Sequence, residues 1–458
     1  MSAEAALVRL SEKYQVAAPR YTSYPTMPYW DTAYFNEQAW ISSVRRSFLE
    51  SGHESGISLY IHLPFCEELC TYCGCNTRIT KNHRVEEPYI GALIREWRHY
   101  VDILGKAPII REIHLGGGTP TFFSAKNLQT LICGLLEKAT IYPDAAFSFE
   151  AHPANTSVEH LQTLFNMGFR RLSLGIQDFD QKVQQIINRR QSFEQVKAVT
   201  QNARQIGYTS INYDLIYGLP LQTLDGLDST LKKVAELRPD RIAFYSYAHV
   251  PWLKPGQRKF TELDLPDPAT KLKLYESGRS SLKSYGYLEV GMDNFALPGD
   301  ELLKAATTGQ LHRNFMGYTT HQCKLSIGLG VSAISDTGDA YAQNIKSVEE
   351  YLNITQEGKL PLMKGHLMTA EDVIIRRHIL QIMCKGLTNW NHHTECSEAV
   401  FNGIDRLQPL ADDGLIELSS VGLKVTANGE SYLRNICMAL DARLWAAQPT
   451  TSLFSMSI

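Results

Sequence analysis

The chain has 458 residues, 44% of them hydrophobic and 20% charged, with a net charge of −3. That balance suits a globular enzyme with a sizeable core, organised as two or three domains or one large barrel with additions. It argues against bulk electrostatic attraction to nucleic acid or to an anionic membrane. No apolar run approaches the roughly 18 residues that cross a bilayer, and residues 1–30 carry Glu4, Arg9, Glu12 and Lys13 with no apolar signal region. Five of the nine cysteines are scattered, which fits a reducing cytoplasmic compartment better than a disulfide framework.

Residues 1–14 read as a short amphipathic helix. They lead into VAAPRYTSYPTMPYW (16–30), an extended arm rich in proline and tyrosine. Its Arg20, Tyr21, Tyr24, Tyr29 and Trp30 are too aromatic for a bare linker, so the arm packs on something. From residue 57 a strand–helix unit repeats. Strands are expected at 57–63, 110–115, 146–150, 171–176, 211–216 and 241–247. Helices are expected at 86–104, 124–139, 157–167, 193–206 and 225–236. Polar or glycine residues follow every strand, as in a (β/α) barrel whose strand ends converge on one mouth. Six units are fewer than eight, so the expectation is an α/β fold with a partial barrel, open on one side.

Residues 250–365 are less regular, with a helix at 267–284 and a glycine-rich, strand-like run at 325–334. From residue 366 the pattern changes to helices at 369–385 and 394–412, a strand pair at 415–418 and 423–425, and a helix near 427–441. Helix, hairpin, helix resembles a winged-helix module. Glu395, Glu398, Asp405, Asp412, Asp413 and Glu417 oppose a phosphate backbone there, so a lid or docking role is expected instead of DNA binding. The chain thus divides into an N-terminal helix and arm (1–50), a partial-barrel catalytic domain (51–365) and a mainly helical C-terminal domain (366–458).

The loop leaving the first strand holds Cys66, Cys70, Cys73 and Cys75. Thiolates are soft ligands that take zinc or iron–sulfur clusters. A zinc site would want a second ligand pair at a distance, and no second CxxC exists. The C-x3-C-x2-C spacing favours a cubane cluster with Cys66, Cys70 and Cys73 on three irons and the fourth iron open to a substrate. Cys75, one residue beyond Cys73, is a non-ligand that delivers hydrogen or stands by. Gly116-Gly-Gly-Thr119 lets a ligand approach the backbone closely. Glu150 and Asp214, at strand ends, suit a ribose diol, while Arg189, Arg20 and Arg313 suit carboxylates.

The cysteine motif followed by Gly116-Gly-Gly-Thr119 resembles the radical S-adenosylmethionine (SAM) enzymes. PRYTSYPT (19–26), CGCN (73–76), SFEAHP (148–153), LGIQDF (174–179), NYDLIYGLP (212–220), HRNF (312–315) and GVSAIS (330–335) narrow it. Together they are similar to the oxygen-independent coproporphyrinogen III oxidases over residues 15–440. That resemblance implies a [4Fe–4S] cluster and two SAM molecules. It also implies a 5′-deoxyadenosyl radical that takes a hydrogen from a substrate propionate. Loss of CO2 and an electron then leaves a vinyl group, twice per macrocycle, giving protoporphyrinogen IX in haem biosynthesis. SAM contacts carry over to Tyr60, Tyr72, Gly117, Gly118, Thr119, Glu150, Gln177, Arg189, Asp214, Ala248 and Ile334, with Cys75 catalytic. Arg20, Tyr21 and Arg313 carry over to the substrate side. The sequence departs from the family's pattern at Tyr72, Asn294, Met316 and the stretch 321–326. A paralogue acting on haem or another tetrapyrrole, or a haem-trafficking relative, is the alternative. A small electron-transfer protein is expected as reductant, with the chain a cytoplasmic monomer that neither spans a membrane nor binds nucleic acid.

Overall fold

The computed structural model describes residues 10, 12–391, 396–448 and 453–457. Six strands form on the expected alternating runs: Ile57–Leu63 (β1), Ile109–Gly117 (β2), Thr140–Ala151 (β3), Phe169–Gln177 (β4), Ser210–Tyr217 (β5) and Arg241–Ser246 (β6). They pair in parallel and in sequence order. The crossovers are helices Glu86–Leu104 (α1), Ala125–Leu136 (α2), Val158–Asn166 (α3), Phe193–Ile206 (α4) and Leu224–Leu237 (α5). Ser124, Ser157, Ser192 and Thr223 cap α2 to α5 by accepting a backbone N–H of the first turn, which fixes where each crossover leaves the mouth.

The alternation has a structural meaning. Leu59 and Ile61 of β1, Ile113 and Leu115 of β2, Phe147 and Phe149 of β3 and their successors point outward into one large core with the helices. The inward positions are polar or small: His114, Ser148, Glu150, Ser173, Asn212 and Asp214 line cavities inside the barrel. Closed barrels of this type fill their interior with branched apolar side chains. Here the lumen is a polar chamber.

The sheet continues past β1, where Ser326–Leu329 pairs in parallel and three antiparallel strands follow out to Leu362–Leu367. Beyond β6 it continues through Asn294–Ala296 and Leu288–Glu289. The twelve strands end at Leu362–Leu367 and Leu288–Glu289, which do not pair with each other, so the barrel is open. The glycine-rich run expected at 325–334 therefore adds a strand next to β1. Glu96 of α1 ties this flank down by accepting from Gly330 N–H (2.9 Å), Asn344 Nδ2 (2.6 Å) and Tyr351 Oη (2.6 Å).

A second apolar core gathers Ile375, Ile379, Val400, Leu407, Ile436 and Leu440. Helix 369–385 runs Ala370–Lys385, helix 394–412 runs Glu398–Asp412, and the expected helix 427–441 opens as a 3-10 turn before Leu433–Leu440. The hairpin Ile416–Ser419/Gly422–Val425 has a third strand, Leu387–Asn389, that the sequence reading missed. Residues 394 and 395, and most of the helix expected over 1–14, lie outside the described residues. Tyr21 and Tyr24 of the arm are 1% exposed and belong to this second core. Arg434 holds the arm by donating to the carbonyls of Ala18 and Pro19, the latter at 3.0 Å.

Candidate active site

The cysteine loop lies across the C-terminal ends of the barrel strands, held at several points by hydrogen bonds to backbone carbonyls. Thr71 N–H donates to the Ile187 carbonyl (2.9 Å), Asn188 Nδ2 to that of Leu69 (2.9 Å), and Cys73 N–H to that of Cys70 (3.1 Å). Each thiol has its own neighbour. Cys66 Sγ is 3.3 Å from Thr119 Oγ1, Cys70 Sγ receives Arg189 Nη1 at 3.6 Å, and Cys73 Sγ receives the Cys75 N–H at 3.4 Å. Hydrogen bonding from the Cys75 thiol, opposed by burial and aided by that N–H, lowers the Cys73 thiol to about 6. Burial pushes Cys66 up to about 11. Among the described residues no three His, Cys, Asp or Glu side chains converge on one ion position. A mononuclear zinc site would need such convergence. A cubane does not, because each thiolate ligates a different iron.

Facing the thiols is a cleft of about 460 Å³, lined by Cys66, Cys70, Tyr72, Cys73 and Cys75 on one side. Its other wall carries Gly117, Gly118, Thr119, Glu150, Gln177, Arg189 and Asp214. The glycines are required there. Gly117 has φ +111° and a Cβ would stand 2.8 Å from the His62 ring, while one on Gly118 would stand 2.7 Å from the Pro64 carbonyl. Gln177 ends β4 with φ +66°, a conformation that concentrates at functional sites. Its Oε1 is buried without a hydrogen-bond partner in the protein, on a residue that lines the cleft. Asp214 accepts from Ser173 Oγ (3.0 Å) and Asn212 Nδ2 (2.8 Å), and burial, then the Glu150 charge, raises its carboxyl to about 6. Arg189 donates to the Gly175 carbonyl (Nε, 3.0 Å) as well as to Cys70.

A second cavity of about 440 Å³ adjoins the first and shares Gly74, Cys75, Gly117 and Glu150 with it. Tyr60 and Ile334 sit here, together with His62, Phe315 and Met316. Tyr60 Oη pairs with His62 Nδ1 at 3.0 Å. Cys75 is exposed and stands where the two cavities meet. Of the positions singled out in the sequence, Ala248 lies off both walls, on the segment covering the cysteine loop, where its carbonyl receives Gln257 Nε2 (3.1 Å).

Two of the expected substrate-side residues, Tyr21 and Arg313, also make contacts that fix the arm. Tyr21 donates its buried hydroxyl to Asp441 (3.0 Å), and Arg313, 6% exposed, directs its guanidinium to the Tyr21 (3.4 Å) and Arg20 (3.2 Å) carbonyls. Both are occupied in fixing the arm, because a buried guanidinium takes the nearest carbonyls. Arg20 alone reaches the mouth end of β6, donating to the Ser246 carbonyl (2.9 Å) with Asp293 at 3.5 Å. The departures Asn294 and Met316 both line the lumen together with Glu150 and Asp214. His62, His114, Ser173 and Asn212 were missed, although each is an inward position of a strand whose alternation was already read.

A strand-end mouth with three cysteines on the loop after β1 and glycines closing β2 defines a radical SAM protein, and a family model for the radical SAM superfamily matches residues 60–234. The chain belongs, within that class, to the oxygen-independent coproporphyrinogen III oxidases. The Escherichia coli K12 protein of that name is 40% identical over 447 residues, covering 95% of both chains. The Helicobacter pylori 26695 protein of the same name is 38% identical over 444 residues, covering 94% of this chain and 95% of its own. The solved structure of E. coli coproporphyrinogen III oxidase (HemN), described as a radical SAM enzyme, superposes with a TM-score of 0.87 at 39% identity, over 92% of this chain and 97% of that one. The class uses a [4Fe–4S] cluster and SAM. The donor set fits them: Cys66, Cys70 and Cys73 line one cleft together with Arg189 and with Gln177, whose Oε1 has no partner in the protein.

Proposed function

We propose that this chain converts two propionate side chains of coproporphyrinogen III to vinyl groups without oxygen, giving protoporphyrinogen IX. The observation that carries the reading is the pair of adjoining cavities meeting at Cys75 and Glu150 beneath three separated thiols. When bound, the cluster with SAM supplies a 5′-deoxyadenosyl radical that takes a hydrogen from the propionate β-carbon. The chain's own residues hold and orient. Cys66, Cys70 and Cys73 hold the cluster, and Arg189 steadies Cys70. Gly117, Gly118, Thr119, Tyr72 and Gln177 present backbone and side-chain groups to the first SAM, while Glu150 and Asp214 accept from its ribose. Tyr60 and Ile334 wall the second SAM, and Ala248 contributes through the covering segment. Cys75 works between the two ligands as a hydrogen donor. Arg20 receives a substrate carboxylate.

A small electron-transfer protein serves as reductant, and the chain works as a cytoplasmic monomer; among the described residues no helix is long and apolar enough to cross a membrane. The unit boundaries are residues 50 and 365, with the last unit a lid or docking module. An anaerobic assay with reductant, SAM and coproporphyrinogen III, read by product mass, tests the function. Loss of two CO2 per macrocycle is expected. SAM cleavage with the tetrapyrrole unchanged would reject it.

A further inference from the structure

The proposed activity needs an electron from outside the chain, and the inference below rests on that reading. The segment from Ala248 to Phe260 covers the cysteine loop on its outer side. It is anchored from beneath by an apolar cluster in which Phe260 joins Tyr247, Val183, Ile187 and Leu219, with Tyr72 packed against them. Two of its side chains grip the loop: Gln257 Nε2 donates to the Tyr72 carbonyl (3.2 Å) and Lys254 Nζ to the Cys75 carbonyl (3.2 Å). Gly256 backs directly onto the loop, where a Cβ would stand 3.4 Å from Leu69 Cδ2. The segment and the loop therefore form one rigid platform.

The platform's outer face is apolar. Trp252 is 49% exposed, Leu253 58% and the adjacent Leu69 41%. A large aromatic and two leucines left in water beside a redox loop mark a surface that something covers. The residues around them are cationic: Lys254, Arg258 and Lys259 fall between residues 248 and 260, with no Asp or Glu among them. This is a local reversal in a chain of net charge −3. The neighbouring carboxylates are Glu67 and Glu68 on the cysteine loop and Glu262 beyond the segment, and Glu67 has His83 Nε2 at 3.7 Å.

We propose that this platform, Leu69, Trp252 and Leu253 within a collar of Lys254, Arg258 and Lys259, is the docking surface for an acidic one-electron carrier protein. A small apolar centre in a cationic rim is the anatomy of a weak, fast, transient interface. The three cations offer an acidic partner a local attraction that the chain's net charge of −3 does not supply. The collar thus selects the orientation that brings the carrier's redox centre to the cysteine loop. The carrier gives up one electron and the bound cluster takes it; no bond in either protein forms or breaks.

The test uses the holoenzyme, an acidic flavodoxin as carrier and dithionite as a small chemical reductant. Two double variants are compared with the wild type, Trp252→Ser with Leu253→Ser, and Arg258→Glu with Lys259→Glu. Calorimetric binding of the flavodoxin is expected to weaken at least about tenfold in both. Flavodoxin-driven SAM cleavage is expected to fall with it, while dithionite-driven cleavage and decarboxylation stay at the wild-type rate. Raising the salt concentration should weaken wild-type binding and not that of the charge-reversed variant, so that the difference between them narrows. Unchanged flavodoxin binding in both variants overturns the proposal. A raised KM for the tetrapyrrole under dithionite also overturns it, because the platform would then be a substrate surface. If wild-type enzyme with dithionite makes no product, the proposed function falls, and the binding titration still decides the docking surface.

Discussion

Four thiols within ten residues have four different surroundings: Cys66 beside a threonine hydroxyl, Cys70 under a guanidinium, Cys73 under a neighbour's N–H, and Cys75 facing the junction of two cavities. Replacing Cys66, Cys70 or Cys73 with serine is expected to remove nearly all iron from anaerobically purified protein, since three thiolates are the minimum for an open-iron cubane. Cys75→Ser is expected to keep the iron and brown colour and to lose turnover; iron analysis beside product mass separates the two outcomes. Asp214 titrates near pH 6 because burial and the Glu150 charge both oppose its ionisation. SAM affinity is therefore expected to fall about tenfold per pH unit as the pH drops below 6, and Asp214→Asn should abolish that dependence. The stability sign is opposite. A carboxyl raised in the folded state stabilises the fold below its unfolded value and loses that contribution as the pH rises through 6. Asp214→Asn should accordingly raise the melting temperature at pH 7 while weakening SAM binding, which thermal unfolding and titration calorimetry can read.

Among elements, the arm changed most between sequence and structure. Proline and tyrosine made it extended and sticky, and its arginine suggested a substrate contact. Tyr21 and Tyr24 instead complete the second apolar core, and Arg434 clamps the arm's carbonyls while reaching the Met456 carbonyl at 2.7 Å. Arg434→Ala leaves several buried carbonyls without a donor and is expected to cost about 3 kcal/mol. Limited proteolysis should then cut faster within residues 18–24, with iron content unchanged. Deleting the arm would do more than impair substrate handling, because it uncovers apolar side chains of the helical unit.

Across the whole molecule, one polar joint ties arm, sheet edge and both ends of the helical region. Asp31 N–H donates to His366 Nδ1 (3.0 Å), so the His366 Nε2–H faces Asp372 (3.4 Å), which also takes Arg443 through Nε (2.6 Å) and Nη2 (2.7 Å). Burial works against ionisation of Asp372, but Arg443, His366 and the Thr369 N–H outweigh it and hold the carboxyl well below its usual range. A depressed carboxyl contributes stability that is present above its unfolded value of 3.8 and is lost as the pH falls below it. Asp372→Ala is expected to cost about 3 kcal/mol near neutral pH, with a difference from wild type that shrinks in acid. Denaturant titrations at pH 7 and in acid measure both.

Local chemistry was legible in the sequence because it depends on spacing along the chain. Three cysteines on one loop, glycines closing β2, Glu150 and Asp214 on inward positions of β3 and β5 and the alternation that makes the strands all follow from residue order and the two-residue period of a strand. The same alternation set the polar lumen, since every second side chain must face inward. The tertiary structure alone decided which distant groups meet. It gave Arg313 and Tyr21 contacts that support the arm, added Leu387–Asn389 to the hairpin, and brought residues 248–260 over the cysteine loop. A buried guanidinium or hydroxyl takes the partner that packing places beside it, and packing is set by segments hundreds of residues away.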